Sequence, residues 1–315
     1  MREFVDLVLP LFVVIGLGAA LRNTGFMPLQ VFHQTNRLLF WIALPAYLFY
    51  KTAESRLEGD AAVRVFSVLL GGMIAGILLA YLLARLLRLE PKRTGAFVQG
   101  AYRSNLVYVG LPVVLLAVSE RAGVDAPALQ ATAVVSVALL MPIYSTVAVL
   151  VLLGGQAHER SQLRLRLREL GTKLITNPLI LACAAGLVVL AIDWQLPRPV
   201  RQTCAILGDM TTPLALLGIG ASLTFTTLRD HWRDASLSAT IKVIGSPLAG
   251  LLIAGGVGLS AQELRIALIL LACPTAATSY IMAQQLGSDE GLAANIVVVS
   301  TLLSMPALGA VIALT

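Results

Sequence analysis

Long apolar runs alternate along this chain with short polar connections. A transmembrane helix needs roughly 20 consecutive apolar residues. That length criterion predicts spans over 4–22, 29–50, 62–87, 94–118, 128–154, 174–192, 199–225, 236–258, 264–286 and 291–313. A transmembrane β-barrel would show segments of roughly 10 residues with alternating polarity, whereas these runs are continuous. The expected fold class is therefore an all-α polytopic membrane protein with ten transmembrane helices. The longest connection, 155–173, alternates Leu with Arg from Leu163 to Arg168. With no sheet to join beside a membrane, it reads as a basic interfacial segment.

The pattern repeats. Val134-Val135-Ser136 leads to Leu139 and Met141-Pro142, and Val298-Val299-Ser300 leads to Leu303 and Met305-Pro306; six of nine positions are identical at an offset of 164. Pro10 and Pro178 recur at 168, Pro45 and Pro213 at 168, and Pro112 and Pro274 at 162. Gly71 and Ala75-Gly76 likewise echo Gly245 and Ala249-Gly250 at 174. The expected organisation is a first five-span repeat over 1–154, a linker over 155–173 and a second five-span repeat over 174–315. An odd number of spans sends the second copy into the membrane from the opposite side, which makes an inverted repeat. Secondary transporters are built this way, with the substrate near the bilayer midplane; an inverted-repeat channel or a membrane scaffold is the alternative.

Substrate sites in such proteins form where helices break at corresponding places of the two halves. In span four, Arg103, Ser104 and Asn105 sit mid-run and precede Tyr108, Gly110 and Pro112. Span nine carries Pro274, Thr275, Thr278 and Ser279, with Gln284 beyond. Glycine and proline weaken the helical hydrogen-bond ladder, and a half-helix start presents free N–H groups that suit an anion. A proline kink packed by neighbours is the plainer reading, but polar flanks in hydrocarbon cost several kcal/mol unless they are used.

Composition sharpens the class. Mean hydropathy is +0.84, 57% of residues are hydrophobic and only 13% are charged, against about 25% charged in soluble proteins. The net charge of +6 sits mainly in loops, which argues for membrane anchoring and against a nucleic-acid surface. With both termini outside, inside loops hold twelve Lys and Arg and outside segments eight, Arg265 among the latter; the linker is then cytoplasmic. Arg2, Glu3 and Asp6 open a first span rather than a removable signal. Cys183, Cys204 and Cys273 are dispersed in apolar runs, and His33, His158 and His231 show no metal spacing. Neither a nucleophile elbow, a His-Glu-x-x-His motif nor a phosphate loop occurs. No enzyme activity, cofactor or metal is expected.

Ionisable groups inside a membrane are functional candidates by default. Asp209 falls near the middle of span seven and is a candidate proton carrier or a paired structural carboxylate. Lys242 in span eight is its candidate partner or snorkels towards the cytoplasmic face. Arg37 and Pro45 lie in span two; Arg37 either pairs or gathers the anion, and Arg103 is better placed for attraction. Asn295, Gln130 and Gln202 suit helix–helix contacts as well as ligand.

Asn105 through Gly110 to Pro112, Asn36-Arg37 before Pro45, Asp209 before Gly218 and Gly220, and Pro274 with Ser279 and Ala283 resemble the auxin efflux carrier family, which includes plant PIN carriers and organic-acid transporters. The resemblance spans the whole chain. It implies that helices four and nine are broken and cross at mid-membrane, with a mono- or dicarboxylate such as malonate or malate bound by Asn105 and the crossing shaped by Pro112 and Pro274 to Ser279. Plant members carry a proline where this chain has Ser279, so hydroxyl ligands from Thr278 or Ser279 replace it here. The resemblance also implies a multi-pass protein of the plasma membrane (the inner membrane in a bacterium) working by alternating access. Spans one, two, six and seven would form a scaffold, and three to five with eight to ten would carry the crossover. Proton or sodium coupling and a homodimer are compatible with it. A drug/metabolite-type carrier and a non-transporting sensor or channel are the rival readings.

Overall fold

A computed structural model describes residues 2–54, 59–121, 126–154, 178–222 and 231–315; the basic connection 155–173 lies outside the described residues. Helices make up the structure: α1 Arg2–Asn23, α2 Leu29–Leu38, α3 Leu44–Ala53, α4 Gly59–Leu86, α5 Pro91–Tyr102, α6 Leu111–Arg121 and α7 Ala126–Gly154. After the undescribed connection come α8 Pro178–Ala191, α9 Arg198–Asp209, α10 Thr211–Ser222, α11 Trp232–Thr240, α12 Ser246–Val257, α13 Ala261–Ala272, α14 Thr278–Gln285 and α15 Glu290–Leu314. Four described runs are long and apolar enough to cross a membrane: Asp60–Leu86, Ala128–Gly154, Trp232–Val257 and Glu290–Leu314.

The faces of α4 show which solvent it meets. Ile74, Leu78, Leu82 and Leu86 form an exposed apolar stripe, while Val65, Val68, Leu69, Gly72, Met73, Gly76, Ala80 and Ala84 face inward. Small residues inside with leucines outside is the polarity of a helix surrounded by lipid, where close backbone approach rather than hydrophobic exclusion drives packing.

Three helical runs widen into a π turn, at Leu39–Ala43, Leu106–Gly110 and Ile241–Gly245. Each turn ends two residues before a proline, Pro45, Pro112 or Pro247. A proline has no N–H for the carbonyl four residues back and its ring crowds that carbonyl; the wider turn relieves both. At Pro213 the outcome differs: the carbonyl it cannot bond is that of Asp209, and the helix is interrupted at Met210 between α9 and α10.

Over the described residues the chain divides into two compact units, with boundaries at Val63/Arg64, Leu106/Val107 and Leu139/Leu140. The first holds α1 to α3, α6, the starts of α4 and α7, and α8 to α10; the second holds the rest of α4, α5, the rest of α7, and α11 to α15.

In the first unit α1 packs along α10, and α3 along α8 and α9. A Cβ on Gly18 would overlap the Leu217 carbonyl, and one on Gly220 the Ile15 carbonyl, so the α1 and α10 backbones touch through glycine. Gly186 of α8 similarly lies 2.8 Å, at its Cβ position, from the Phe49 carbonyl of α3. Gly18 precedes Gly186 by 168 residues and Phe49 precedes Leu217 by the same 168, so one contact repeats with its partners exchanged. Arg22 donates to the Ala221 carbonyl at 2.8 Å, capping the end of α10.

In the second unit α5 is buried from Gly95 to Tyr102 among α11, α14 and α15. The Ser238 hydroxyl donates to the Phe97 carbonyl at 2.8 Å. Two ion pairs tie helix starts together: Arg64 of α4 to Glu263 of α13 at 2.5 Å, and Arg93 of α5 to Asp234 of α11 at 2.7 Å. Arg64 precedes Asp234 by 170 residues and Arg93 precedes Glu263 by 170, so the second pair matches the first with its signs reversed.

Candidate functional site

The helical ladder stops twice inside the second unit. α5 ends at Tyr102 because Arg103 turns to extended backbone, φ −78° and ψ 92°. α13 ends at Ala272, where Cys273 is extended at φ −60° and ψ 149°, the conformation that a following proline imposes. The two unwound segments meet. Ser104 and Thr275 form an antiparallel β-bridge. The Asn105 N–H donates to the Pro274 carbonyl at 2.8 Å, and the Ala276 N–H to the Arg103 carbonyl at 2.9 Å. Backbone groups released by one break are thus satisfied by the other, as an apolar surrounding demands.

Side chains complete the junction. The Thr275 hydroxyl donates to the Gly100 carbonyl at 2.7 Å, covering an open end of α5, and the Ser300 hydroxyl accepts the Thr275 N–H at 3.0 Å. Arg103 donates to the Ser279 hydroxyl at 3.3 Å, which brings a guanidinium to the first turn of α14. Tyr102 and Tyr144 stack edge to face with centroids 5.7 Å apart, and the Tyr144 hydroxyl makes a long 3.5 Å contact with Ser104. Asn105 is buried beside the bridge. The arrangement combines the half-helix start at Thr278 with a guanidinium, an amide and hydroxyls. That chemistry suits a carboxylate.

The expected residues fall into two groups. Arg103, Asn105, Pro274, Thr275 and Ser279 gather at the bridge. Thr278 is exposed at the head of α14, and exposed Gln284 is near its far end, about 9 Å along the helix at 1.5 Å per residue. Gly110 and Pro112 lie in the continuation of the same run, within the first unit's boundaries. Tyr108 packs with Leu214 against Leu39 and Ala43, an apolar cluster of that unit. Pro45 is half-buried in α3, and Arg37 is exposed in the last turn of α2.

Asp209 lies exposed at the last residue of α9, where the helix of span seven is interrupted near its middle. Two expectations change. Lys242 does not snorkel: it is fully buried and its ammonium donates to the Leu271 carbonyl. Arg265, counted among outside segments, is 1% exposed inside α13. Sequence reasoning also passed over Tyr102, Tyr144 and Ser300. Ser300 carried a signal, since it stands in the duplicated Val-Val-Ser motif; the tyrosines carried none. Among the described residues no three His, Cys, Asp or Glu cluster to hold a metal.

Apolar-faced helices around a buried polar junction define a polytopic membrane protein. The membrane transport protein family, that of the auxin efflux carriers, matches residues 4–312, and the chain belongs to it. The chain is 24% identical over 314 residues to a protein of Rhizobium meliloti (strain 1021) named "Putative malonate transporter", covering 97% of this chain and 93% of that one. It is 23% identical over 307 residues to an "Uncharacterized transporter" of Methanothermobacter thermautotrophicus, covering 96% and 95% respectively.

Proposed function

We propose that this membrane transport protein is a secondary transporter of a small organic anion, a mono- or dicarboxylate, moved by alternating access. The observation that carries the reading is the Ser104–Thr275 bridge, with Arg103 on Ser279 and Asn105 alongside. Two interrupted helices bring their unwound backbones to one point, and the half-helix start at Thr278 favours negative charge. Asn105 and the hydroxyls of Thr278 and Ser279 are the proposed ligands, with Arg103 attracting the anion; the Thr275 hydroxyl gives its one proton to the Gly100 carbonyl and shapes the junction instead. Ten spans in an inverted five-plus-five repeat, crossing at mid-membrane, complete the proposal. The contacts repeated at 168 and the ion pairs repeated at 170 support that architecture. The printed name of the Rhizobium relative supports a dicarboxylate such as malonate. Both termini outside is the proposed orientation. For an exporter, an inside-negative potential favours anion exit by about 2.3 kcal/mol per charge per 100 mV.

Currents across proteoliposomes over a panel of small carboxylates test the reading. The expected result is a saturable current for one or two acids, with counterflow, that Asn105→Ala abolishes while the protein still elutes as a single folded species. Silence over the whole panel, or full activity in Asn105→Ala, would remove the carboxylate site from the junction.

A further inference from the structure

The stretches of the second unit that carry its apolar helices are 65–84, 94–106, 140–154, 235–258, 264–286 and 291–315. They contain Arg103, Lys242 and Arg265 but no Asp or Glu. Lys242 is 0% exposed, and its ammonium meets a particular backbone group. Leu271 is the next-to-last residue of α13, so its carbonyl is one of the four that a helix C-terminus leaves without an intrahelical donor. Pro274 prevents the chain from supplying one by continuing the helix. The Cys273 thiol covers the Ile269 carbonyl at 3.1 Å, and Lys242 covers Leu271.

A helix C-terminus carries roughly half a unit of negative charge. In transporters with interrupted helices, such ends and the unwound carbonyls beside them are where coupling cations bind. Here the chain's own ammonium takes that position. The backbone arranges it: the π turn Ile241–Gly245, placed by Pro247, contains Lys242. The other break is treated differently, since the Gly100 carbonyl receives only the neutral Thr275 hydroxyl. The spacing of 174 that matches Gly71 to Gly245 leads from Lys242 to Val68, and the 170 of the two ion pairs leads to Gly72; neither carries charge. The ammonium on a helix-end carbonyl therefore belongs to the α13 break, whereas Arg103 at the α5 break reaches the Ser279 hydroxyl instead.

We propose that the Lys242 ammonium does the work of a bound monovalent cation at the junction. It holds the C-terminal end of α13 and adds to the Arg103 guanidinium the positive charge that a bound cation would bring, so flux needs no added sodium. The inference rests on the carrier reading. Lys242 is a positioning residue, acting through the α13 backbone and not by touching substrate.

Carboxylate uptake is measured in proteoliposomes in sodium and in choline, for the wild type, Lys242→Met and Lys242→Arg. The wild type and Lys242→Arg should transport equally in both salts. Lys242→Met, which keeps bulk but loses charge, should be slower in choline by about tenfold or more and recover in sodium. Lys242→Ala, which vacates the stem, should recover with methylammonium. Wild-type flux that rises severalfold with sodium overturns the proposal, because the position would then be open in the native protein. So does a Lys242→Met variant as fast as the wild type in choline, or one whose defect ignores every cation. If the wild type moves no carboxylate at all, the carrier reading fails separately. The Lys242 inference is then decided by thermal unfolding in detergent: sodium should raise the Tm of Lys242→Met and leave the wild type unchanged, and no sodium response in the variant overturns it.

Discussion

In the first unit α1 and α10 come so close at Gly18 and Gly220 that backbone lies against backbone, whereas in the second unit α5 and α13 stop and exchange hydrogen bonds. The first contact works by the absence of side chains. It is uncharged, continuous and repeated between α8 and α3 through Gly186. The second works by polar groups that hydrocarbon would penalise if they were left unpaired. Arg103, Lys242, Thr275 and Ser300 each cover a group that a break released or a neighbouring hydroxyl. The difference separates the two kinds of membrane packing. Small residues suffice where helices only need to be held together. Buried polar groups are retained where the chain needs a charged, interrupted backbone for a ligand.

The comparison breaks most severely at the glycine contact. Gly220→Ala places a Cβ into the Ile15 carbonyl, which is backbone and cannot rotate aside. The two helices must separate, at a cost of about 3 kcal/mol, the upper range for overpacking. Gly16→Ala is the control, because nothing lies within 4 Å of its Cβ position; it should stay within about 0.5 kcal/mol of the wild type. Thermal unfolding in detergent checks both. Equal melting of the two variants would mean that α1 and α10 do not touch through Gly220.

A smaller effect is expected at the junction. Thr275→Val removes the donor to the buried Gly100 carbonyl while keeping the volume. An unsatisfied buried acceptor costs about 1–3 kcal/mol, and Thr275→Ser should restore most of it. Because the same hydroxyl borders the proposed anion site, Thr275→Val should lower both Tm and carboxylate flux, whereas Gly220→Ala should lower Tm first. A Thr275→Val protein as stable as Thr275→Ser would show that the junction does not depend on this bond.

Part of this contrast was legible in the sequence. Apolar run lengths gave the helical class, and Pro274, with polar residues at Arg103 to Asn105, marked the two places where the ladder stops. The partners were not legible. Thr275 finds Gly100 from 175 residues away, and Lys242 finds Leu271 on another helix. Only the tertiary arrangement brings them together, and an isolated lysine in an apolar run looks the same whether it snorkels or caps. The break beside Asp209 was not legible either, for a local reason. Pro213 interrupts the helix after Asp209, but Pro45, its counterpart at 168, yields only a π turn. A proline in a pattern announces a lost hydrogen bond, and the packing decides whether the helix widens or stops.

The ion pairs give the smallest effect and sharpen the comparison by sign. Glu263 lies in the first turn of α13, ahead of its apolar stretch, in a capping box with Ser260. Burial pushes its carboxyl upward, but the Arg64 hydrogen bond, the Ser260 N–H and hydroxyl and the Arg64 charge outweigh that, so it is held below the ordinary glutamate range. A depressed carboxyl contributes stability that is present above the unfolded value, about pH 4.3, and lost as pH falls through the lower folded value. Arg64→Gln removes the charge and the guanidinium, leaving burial opposed by the Ser260 bonds alone. The folded Glu263 carboxyl should then rise from its depressed position, so that the variant loses less stability than the wild type as pH falls below about 4.3. The Tm difference between wild type and Arg64→Gln should thus be largest near neutral pH, worth about 1 kcal/mol for a partly exposed partner, and shrink on acidification. With Glu263→Gln introduced into both the wild type and Arg64→Gln, the difference should lose its pH dependence. A difference that is flat with pH, or that widens in acid, would mean that Arg64 does not set the Glu263 charge. The pairing of α4 with α13 would then lie in the apolar contacts behind it, as it does between α1 and α10.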